Sequence, residues 1–241
     1  MYEFNENGYL VTLSENALIS LILSSLEAYA IEKRGYRGKD KKHLETYGSI
    51  YGQPLELEDG RTLFRVEMAQ TDTTAKQSCS SVQYSEEAIS LKRSALASFW
   101  PHLDYLGDFH SHPYETLREA RQTKGYFLSV EDRINLEDSW ESFFRGLRYR
   151  LGLVVTVAAM QRVRDNNKIW EGKGLNCLEF TIGNFRLWIA AYCVYEVDGI
   201  GCYTEDEDMD VELTAPALTG LLWEHAPFGR YKNGSFVRGA G

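Results

Sequence analysis

Helical spacing of apolar residues marks two segments of the chain. Over 15–31, leucine, isoleucine and tyrosine recur every three or four positions, and Ser14 precedes them as a candidate N-cap, so this stretch predicts an amphipathic helix. Ser85 precedes a second such stretch over about 86–98, and Pro101 ends it. Two capped helices are therefore expected in the first hundred residues.

Apolar runs between turn residues predict the strands. They lie at 44–69, where Glu58-Asp59-Gly60 separates two strands, and at 103–110, 151–159 and 178–194. Further helices are expected from Ser129 and around 213–225, followed by a glycine-rich, disordered tail. Because strands and helices mix without regular βαβ alternation, the pattern predicts an α+β fold around a central sheet.

Length and charge narrow the class of protein. A chain of 241 residues suits one domain with insertions or an extension. The formal net charge of −9 gives no basic footprint for nucleic acid or an anionic membrane, so proteins, peptides or small molecules are the expected partners. The acidic start MYEFNE predicts no secretory signal, and the apolar run at 17–23 is too short to span a bilayer. A cytoplasmic protein is therefore expected.

Two of the five histidines lie one residue apart in the segment GDFHSHP, residues 107–113. On a strand, residues two apart project from the same face, so His110 and His112 would present both imidazoles together, where Pro113 is expected to end the strand. Neutral histidines with a carboxylate are a common zinc ligand set, which in catalytic sites leaves one position open for water. An H-x-H pair alone is a weak signal, and a third ligand is needed.

The segment SVED at 129–132 offers that third ligand. Its S-x-x-D spacing predicts a capping box, with Ser129 as the N-cap and Asp132 reaching back to it. Such a cap would hold the Asp132 carboxylate rigidly in the first turn of a helix, with the Ser129 hydroxyl beside the metal.

A metal-bound water would also need a general base. The candidates by position are Glu45, Glu67, Glu115 and Glu119. Glu45 stands out because it opens the glycine-punctuated run ETYGSIYG. GDFHSHP followed by SVED, with this upstream glutamate, resembles the motif of the JAMM (MPN+) zinc metallopeptidases. That family includes deubiquitinases and many bacterial relatives, and the resemblance covers about residues 14–196.

The resemblance implies an α+β fold of the MPN type, similar to cytidine deaminases, with a central and mostly antiparallel sheet flanked by helices. It implies a metallopeptidase domain over 1–204 with insertions at about 32–43, a basic and solvated loop, and at 113–128. Residues 205–241 would form an acidic loop and a C-terminal extension that packs on the same domain.

The spacing between the second histidine and Ser129 is longer here than is usual in the family. Surface loops tolerate added length at little cost, so the 113–128 segment is expected to loop out and leave Asp132 in place. The longer spacing also leaves Glu115 or Glu119 as an alternative ligand to Asp132.

By the same resemblance, His110, His112 and Asp132 would hold one zinc ion per chain. Glu45 would take a proton from the water and pass it to the leaving amine, and Ser129 would donate a hydrogen bond to the oxyanion.

Other polar residues near the motif have simpler expectations. Asp108 shares the strand parity of the histidines and is expected either to orient one of them or to make a local structural hydrogen bond. His43, His102 and His225 are expected to take no part in the site.

The implied activity is that of a zinc-dependent isopeptidase or peptidase that cleaves after the C-terminal glycine of a ubiquitin-like protein. The implied partners are such proteins or their conjugates and E1- or E2-like operon products, in a bacterial conjugation or antiphage system. A zinc amidase for another substrate and a non-catalytic MPN scaffold stay open as alternatives. The ending VRGAG resembles the glycine tails such enzymes cut, so a flexible terminus, self-inhibition and conjugation are all open for it.

Overall fold

The computed structural model describes residues 7–33, 42–78, 82–135, 150–161, 170–171, 175–197, 200–204, 210–220 and 228–238. The helices are α1 (Glu15–Ala30), α2 (Glu86–Phe99) and α3 (Leu117–Gln122), with a 3-10 helix at Pro216–Gly220 and helical residues at 130–135. The strands are β1 (Tyr9–Leu13), β2 (Tyr47–Glu56), β3 (Thr62–Thr71), β4 (Lys76–Gln77), β5 (Val82–Gln83), β6 (Asp104–Tyr114), β7 (Arg150–Ala159), β8 (Trp170–Glu171), β9 (Cys177–Ile182), β10 (Phe185–Val197), β11 (Ile200–Tyr203), β12 (Val211–Thr214), β13 (Arg230–Lys232) and β14 (Ser235–Val237).

Ten of these strands form one mixed sheet in the order β12-β1-β3-β2-β6-β7-β10-β9-β8, with β11 paired to β10. The pairs β12–β1, β1–β3 and β6–β7 are parallel. The two ends of the sheet approach each other, since Leu213 on β12 donates its backbone N–H to the Leu175 carbonyl (2.8 Å), just before β9. The sheet thereby curls into a nearly closed barrel.

This architecture corrects the expected fold. The α+β MPN arrangement, a mostly antiparallel central sheet flanked by helices, is wrong, because the chain is mostly β and its large mixed sheet nearly closes on itself. β1 joins β3 and β12 in parallel, and both partners are distant in sequence. Apolar periodicity shows where strands lie and which face is buried, but not which strands pair.

The local signals for the first elements are confirmed. α1 begins after Ser14, whose Oγ accepts a hydrogen bond from the Ala17 N–H (3.2 Å). α2 begins after Ser85, whose Oγ accepts from the Ala88 N–H (3.2 Å). β2 and β3 pair as an antiparallel hairpin on either side of the predicted turn.

β6 passes through Pro113, where it was expected to end. Pro113 pairs with Val157 on β7, and the strand continues to Tyr114. Ser111 donates its N–H to the Thr46 carbonyl (2.9 Å), so the nitrogen of Pro113, two residues later, faces the same side, where β2 no longer pairs. A proline there removes no ladder hydrogen bond and can lie within the strand.

The C-terminal segment contains strands where a helix and a disordered tail were expected. Residues 211–214 form β12, and the 3-10 helix follows, while 221–227 lie outside the described residues. β13 and β14 pair as a hairpin across Asn233 and Gly234, both with positive φ, as two-residue hairpin turns require. The last three residues of the VRGAG ending also lie outside the described part.

The two faces of the main sheet are covered differently. One face packs against α1 through a large apolar core that includes Leu21, Phe109 and Val155. The other face carries two smaller clusters, one with α2 around Tyr47 and one with α3 around Trp188. Tyr47 pairs in register with His110, so the histidine face is the one with the smaller clusters. None of the helices in the described ranges is long and apolar enough to cross a membrane.

Candidate metal centre

Strand β6 presents both motif histidines on one face in the middle of the sheet. β2 flanks it on one side and β7 on the other, with His110 opposite Val154 and His112 opposite Thr156. Both histidines are buried, and their Nε2 atoms lie 3.1 Å apart. Ligand atoms that share one tetrahedral zinc ion at 2.0–2.1 Å lie about 3.3 Å apart, so this spacing suits a common metal.

Asp132 completes the group from the start of the helix at 130–135. Its backbone N–H is bonded to Ser129 Oγ (3.1 Å), and its Oδ2 accepts from the Ser129 N–H (2.8 Å), so the capping box is confirmed. The carboxylate spans the two histidines, with Oδ1 3.3 Å from His110 Nε2 and Oδ2 3.1 Å from His112 Nε2. The three residues therefore form a group that could hold a metal ion.

The site opens on the Asp132 side. The Asp132 side chain is 21 % exposed, whereas those of His110 and His112 are 11 % and 7 % exposed. Burial alone would lower the pKa of His110, but the Asp132 carboxylate outweighs it and raises that pKa. Conversely, the histidines hold the pKa of Asp132 below its usual range against the effect of burial. The carboxylate and the histidines thus stabilise each other's charged forms.

The 113–128 segment orients one ligand and does not loop out. His112 Nδ1 lies 2.9 Å from the Gly125 carbonyl, which can only accept, so Nδ1 carries the proton and Nε2 is left for the metal. The Thr156 hydroxyl donates to the same carbonyl (2.9 Å). A Cβ on Gly125 would lie 2.1 Å from the Tyr114 ring, so glycine at this position lets the backbone pack directly against that ring.

The rest of this segment packs on the sheet beside the site. Ala120, Tyr126 and Phe127 are buried in one apolar cluster with Trp188. The expectation of a surface loop was therefore wrong. Leu117, Tyr126 and Phe127 are apolar enough to have signalled a packed segment, but their spacing fits no regular element.

Glu45 approaches the centre from the segment that precedes β2. Thr46 is bonded to Ser111, between the two histidines: its N–H donates to Ser111 Oγ (2.9 Å), and its carbonyl accepts from the Ser111 N–H (2.9 Å). Burial raises the pKa of the Glu45 carboxyl to about 7, with Asp132 adding to the rise and His112 opposing it. A carboxyl with a pKa near neutrality, within electrostatic reach of His112 and Asp132, is suited to accept a proton at pH 7.

The alternative acids lie elsewhere among the described residues. Glu67 is ion-paired with Arg65 on β3 (2.6 Å). In the described part of the chain, the group that could hold a metal ion contains Asp132 and neither Glu115 nor Glu119.

Asp108 makes a buried ion pair that the sequence did not suggest. Its Oδ2 accepts from Arg150 Nη2 at the start of β7, and both side chains are almost fully buried. Asp108 adds a smaller contribution to the raised pKa of His110, but its direct partner is Arg150. The contact that the structure gives Asp108 is thus an ion pair with a residue distant in sequence, neither a bond to a histidine nor the expected local hydrogen bond.

The remaining histidines differ in their surroundings. His102 is exposed, and His225 lies outside the described residues. His43 is packed against Tyr29 and hydrogen-bonded to Tyr231.

Comparisons with known proteins add little to this geometry. No family model matches the chain, and no curated protein matches it. One solved structure that is similar is that of protein DSY2949 from Desulfitobacterium hafniense, at 12 % sequence identity and a TM-score of 0.38, over 90 % of this chain and 99 % of that one. A likeness this distant carries no argument about fold or function.

Proposed function

We propose that the chain is a zinc-dependent isopeptidase or peptidase that cleaves after the C-terminal glycine of a ubiquitin-like protein. One observation carries the proposal: two buried histidines and a capped carboxylate converge on one point, and the half-buried Glu45 carboxyl, whose pKa partial burial raises to about 7, lies within electrostatic reach of them. Such a set provides both a metal site and a base for activating water.

The donor set favours zinc. Two imidazole nitrogens and one carboxylate oxygen, with the tautomer of His112 fixed by a backbone carbonyl, are typical of catalytic zinc sites. A bound zinc ion would supply two effects, a lowered pKa for a water in its open position and polarisation of a substrate carbonyl.

The chain's own residues supply the remaining steps. Glu45 holds the proton that the water loses and delivers it to the leaving amine. The Ser129 hydroxyl accepts from the Asp132 N–H, and its own proton is still available to an oxyanion at the open side of the site. Together the two groups would supply a proton carrier and an oxyanion donor for amide cleavage.

The substrate class rests on the motif. GDFHSHP, SVED and the upstream Glu45 together resemble the JAMM metallopeptidases, whose usual substrate is the isopeptide or peptide bond after the C-terminal glycine of a ubiquitin-like protein. Glycine lets a backbone approach a buried centre more closely than other residues can.

Metal content tests the centre first. We expect elemental analysis of the full chain to give about one zinc, which His112→Ala loses and the exposed-histidine control His102→Ala keeps. The wild type should then cleave a fluorogenic amide of ubiquitin or of a bacterial ubiquitin-like protein. Iron in place of zinc would move the site to oxidative chemistry. A zinc-loaded chain that cleaves none of these amides would overturn the substrate class.

A further inference from the structure

Glu45 lies in a short segment that belongs to no strand or helix. Residues 42–46, the base segment, precede β2 and follow residues outside the described part. The Leu44 N–H donates to the Ala28 carbonyl on α1 (3.0 Å), and the Glu45 N–H donates to the Ser78 carbonyl (2.8 Å). The position of the base therefore depends on contacts from separate parts of the chain.

His43 is the most constrained residue of the base segment. Its φ of 49° is in the left-handed region, which residues other than glycine adopt only where their surroundings hold them. Its ring stacks on Tyr29 with centroids 4.5 Å apart, and its Nε2 lies 2.7 Å from the Tyr231 hydroxyl. Burial lowers the pKa of His43, so the imidazole is neutral at pH 7 and its Nε2 can accept a hydrogen bond from the Tyr231 hydroxyl.

Tyr231 is brought to His43 by the C-terminal hairpin, β13 and β14. The fully buried Asn184 fixes the hairpin at this residue. Its Nδ2 donates to the Tyr231 carbonyl (2.8 Å), and its Oδ1 accepts from the Tyr231 N–H (2.7 Å). Asn184 Nδ2 also donates to the Met160 carbonyl (2.7 Å), just after β7, so the hairpin is tied to the central sheet.

Tyr29 joins the same contacts to the ligand strand. Its hydroxyl donates to the carbonyl of Tyr114, two residues after His112 on β6, and accepts from the Ala159 N–H on β7 (2.9 and 3.1 Å). The Tyr29 ring also contacts Tyr231, with centroids 5.4 Å apart. Tyr29, His43 and Tyr231, the aromatic clamp, therefore connect the C-terminal hairpin, the base segment and the strand of the metal ligands.

We propose that Tyr231 and His43 are positioning residues, through which the C-terminal hairpin holds the Glu45 carboxyl in place beside the metal ligands. This inference rests on the proposed function of Glu45 as general base. The clamp keeps His43 in its left-handed conformation. When the hydrogen bond to Tyr231 is lost, the residue relaxes and the chain two residues later shifts. A displacement of about 1 Å at a catalytic group can lower the rate by about a hundredfold.

The test uses Tyr231→Phe in the full chain, which keeps the ring and removes only the hydroxyl. Tyr9→Phe on β1 is the matched control, since both tyrosines are 8 % exposed. We expect Tyr231→Phe to lower kcat about tenfold on a fluorogenic ubiquitin amide, with KM, zinc content and Tm close to those of Tyr9→Phe. In a double-mutant cycle with His43→Phe, the two losses should not add, because both variants break the same bond.

Amide hydrogen exchange gives a readout that does not need activity. We expect the Leu44 and Glu45 amides to exchange faster in Tyr231→Phe than in Tyr9→Phe. Without the bond to Tyr231 the base segment would move more, so the hydrogen bonds of these amides to the Ala28 and Ser78 carbonyls would open more often. Equal exchange rates of these two amides in both variants would overturn the proposal that the aromatic clamp positions the base segment. If the wild type cleaves no amide, the proposed function fails, and exchange alone still decides whether the hairpin positions the base segment.

Discussion

The metal ligands and the base segment are held in different ways. His110 and His112 lie on β6, which pairs with β7 at both residues and with β2 as far as His110, and Asp132 is fixed by its own capping box. Glu45 has no strand of its own, and its segment is held by hydrogen bonds to Ala28, Ser78 and Ser111 and by the aromatic clamp. The ligand group is therefore rigid by construction, whereas the base depends on distant contacts. Substitutions in the two regions should separate metal binding from turnover.

Glu45→Gln should have the largest effect that leaves the metal in place. The amide keeps the size of the side chain but cannot accept a proton, and loss of a general base costs about 10²–10⁴-fold in rate. We expect kcat on a fluorogenic ubiquitin amide to fall by that factor with zinc content unchanged. Glu67→Gln, at the ion-paired glutamate on β3, is the control. A larger loss in Glu67→Gln than in Glu45→Gln would transfer the base assignment to Glu67.

This contrast also explains what the sequence could predict. The three candidate metal ligands could be predicted because both of their signals are local in sequence: two histidines on one strand and a four-residue cap. The caps at Ser14 and Ser85 were predictable for the same reason. The Asp108–Arg150 pair could not be predicted, because it joins two segments far apart in the chain. The bond of His112 to Gly125 could not be predicted either, because the segment between them has no regular apolar spacing.

The prediction of the fold was wrong for a related reason. The nearly closed mixed sheet depends on parallel pairing of β1 with β12, about two hundred residues apart in a chain of 241. The C-terminal hairpin was predicted to be a flexible tail because its two strands are short and its apolar residues Tyr231 and Phe236 pack against a partner distant in sequence, Phe185.

Ser129→Ala should have the next largest effect, with two separable causes. Removing one oxyanion donor lowers kcat by about 10²–10³-fold, and losing an N-cap lowers the free energy of unfolding by about 1 kcal/mol. Ser129→Gly separates them, because glycine restores most of the capping but no hydroxyl. Ser14→Ala removes the N-cap of α1 and should lower stability without affecting kcat. Normal turnover in Ser129→Gly would show that the serine serves only as a cap.

The pH dependence of kcat/KM should reflect the ionisation of Glu45, with a change of up to tenfold for each pH unit. In metal-free protein, the Glu45 carboxyl should titrate with a pKa near 7 by ¹³C NMR, as burial implies. A neighbouring divalent cation favours the carboxylate, so in zinc-loaded protein the acid limb of kcat/KM should lie at or below pH 7. The base works only when deprotonated, so activity rises with pH through this limb. A Glu45 carboxyl that titrates at its ordinary pKa without metal would contradict its burial.

Ser111→Ala should have the smallest effect and tests the link between the two regions. Its hydroxyl accepts the Thr46 N–H in a buried hydrogen bond, and removing that acceptor costs about 1–3 kcal/mol of stability. Because Thr46 follows Glu45 directly, we expect kcat to fall about threefold to tenfold. Zinc content should hold, since the serine faces away from the two histidines on β6. Ser111→Thr keeps the hydroxyl and is the control, with denaturant unfolding, kcat and elemental analysis measured on each. If Ser111→Ala lost zinc and Ser111→Thr kept it, the base segment would also hold the ligand strand in place, and the two regions could not be separated by substitution.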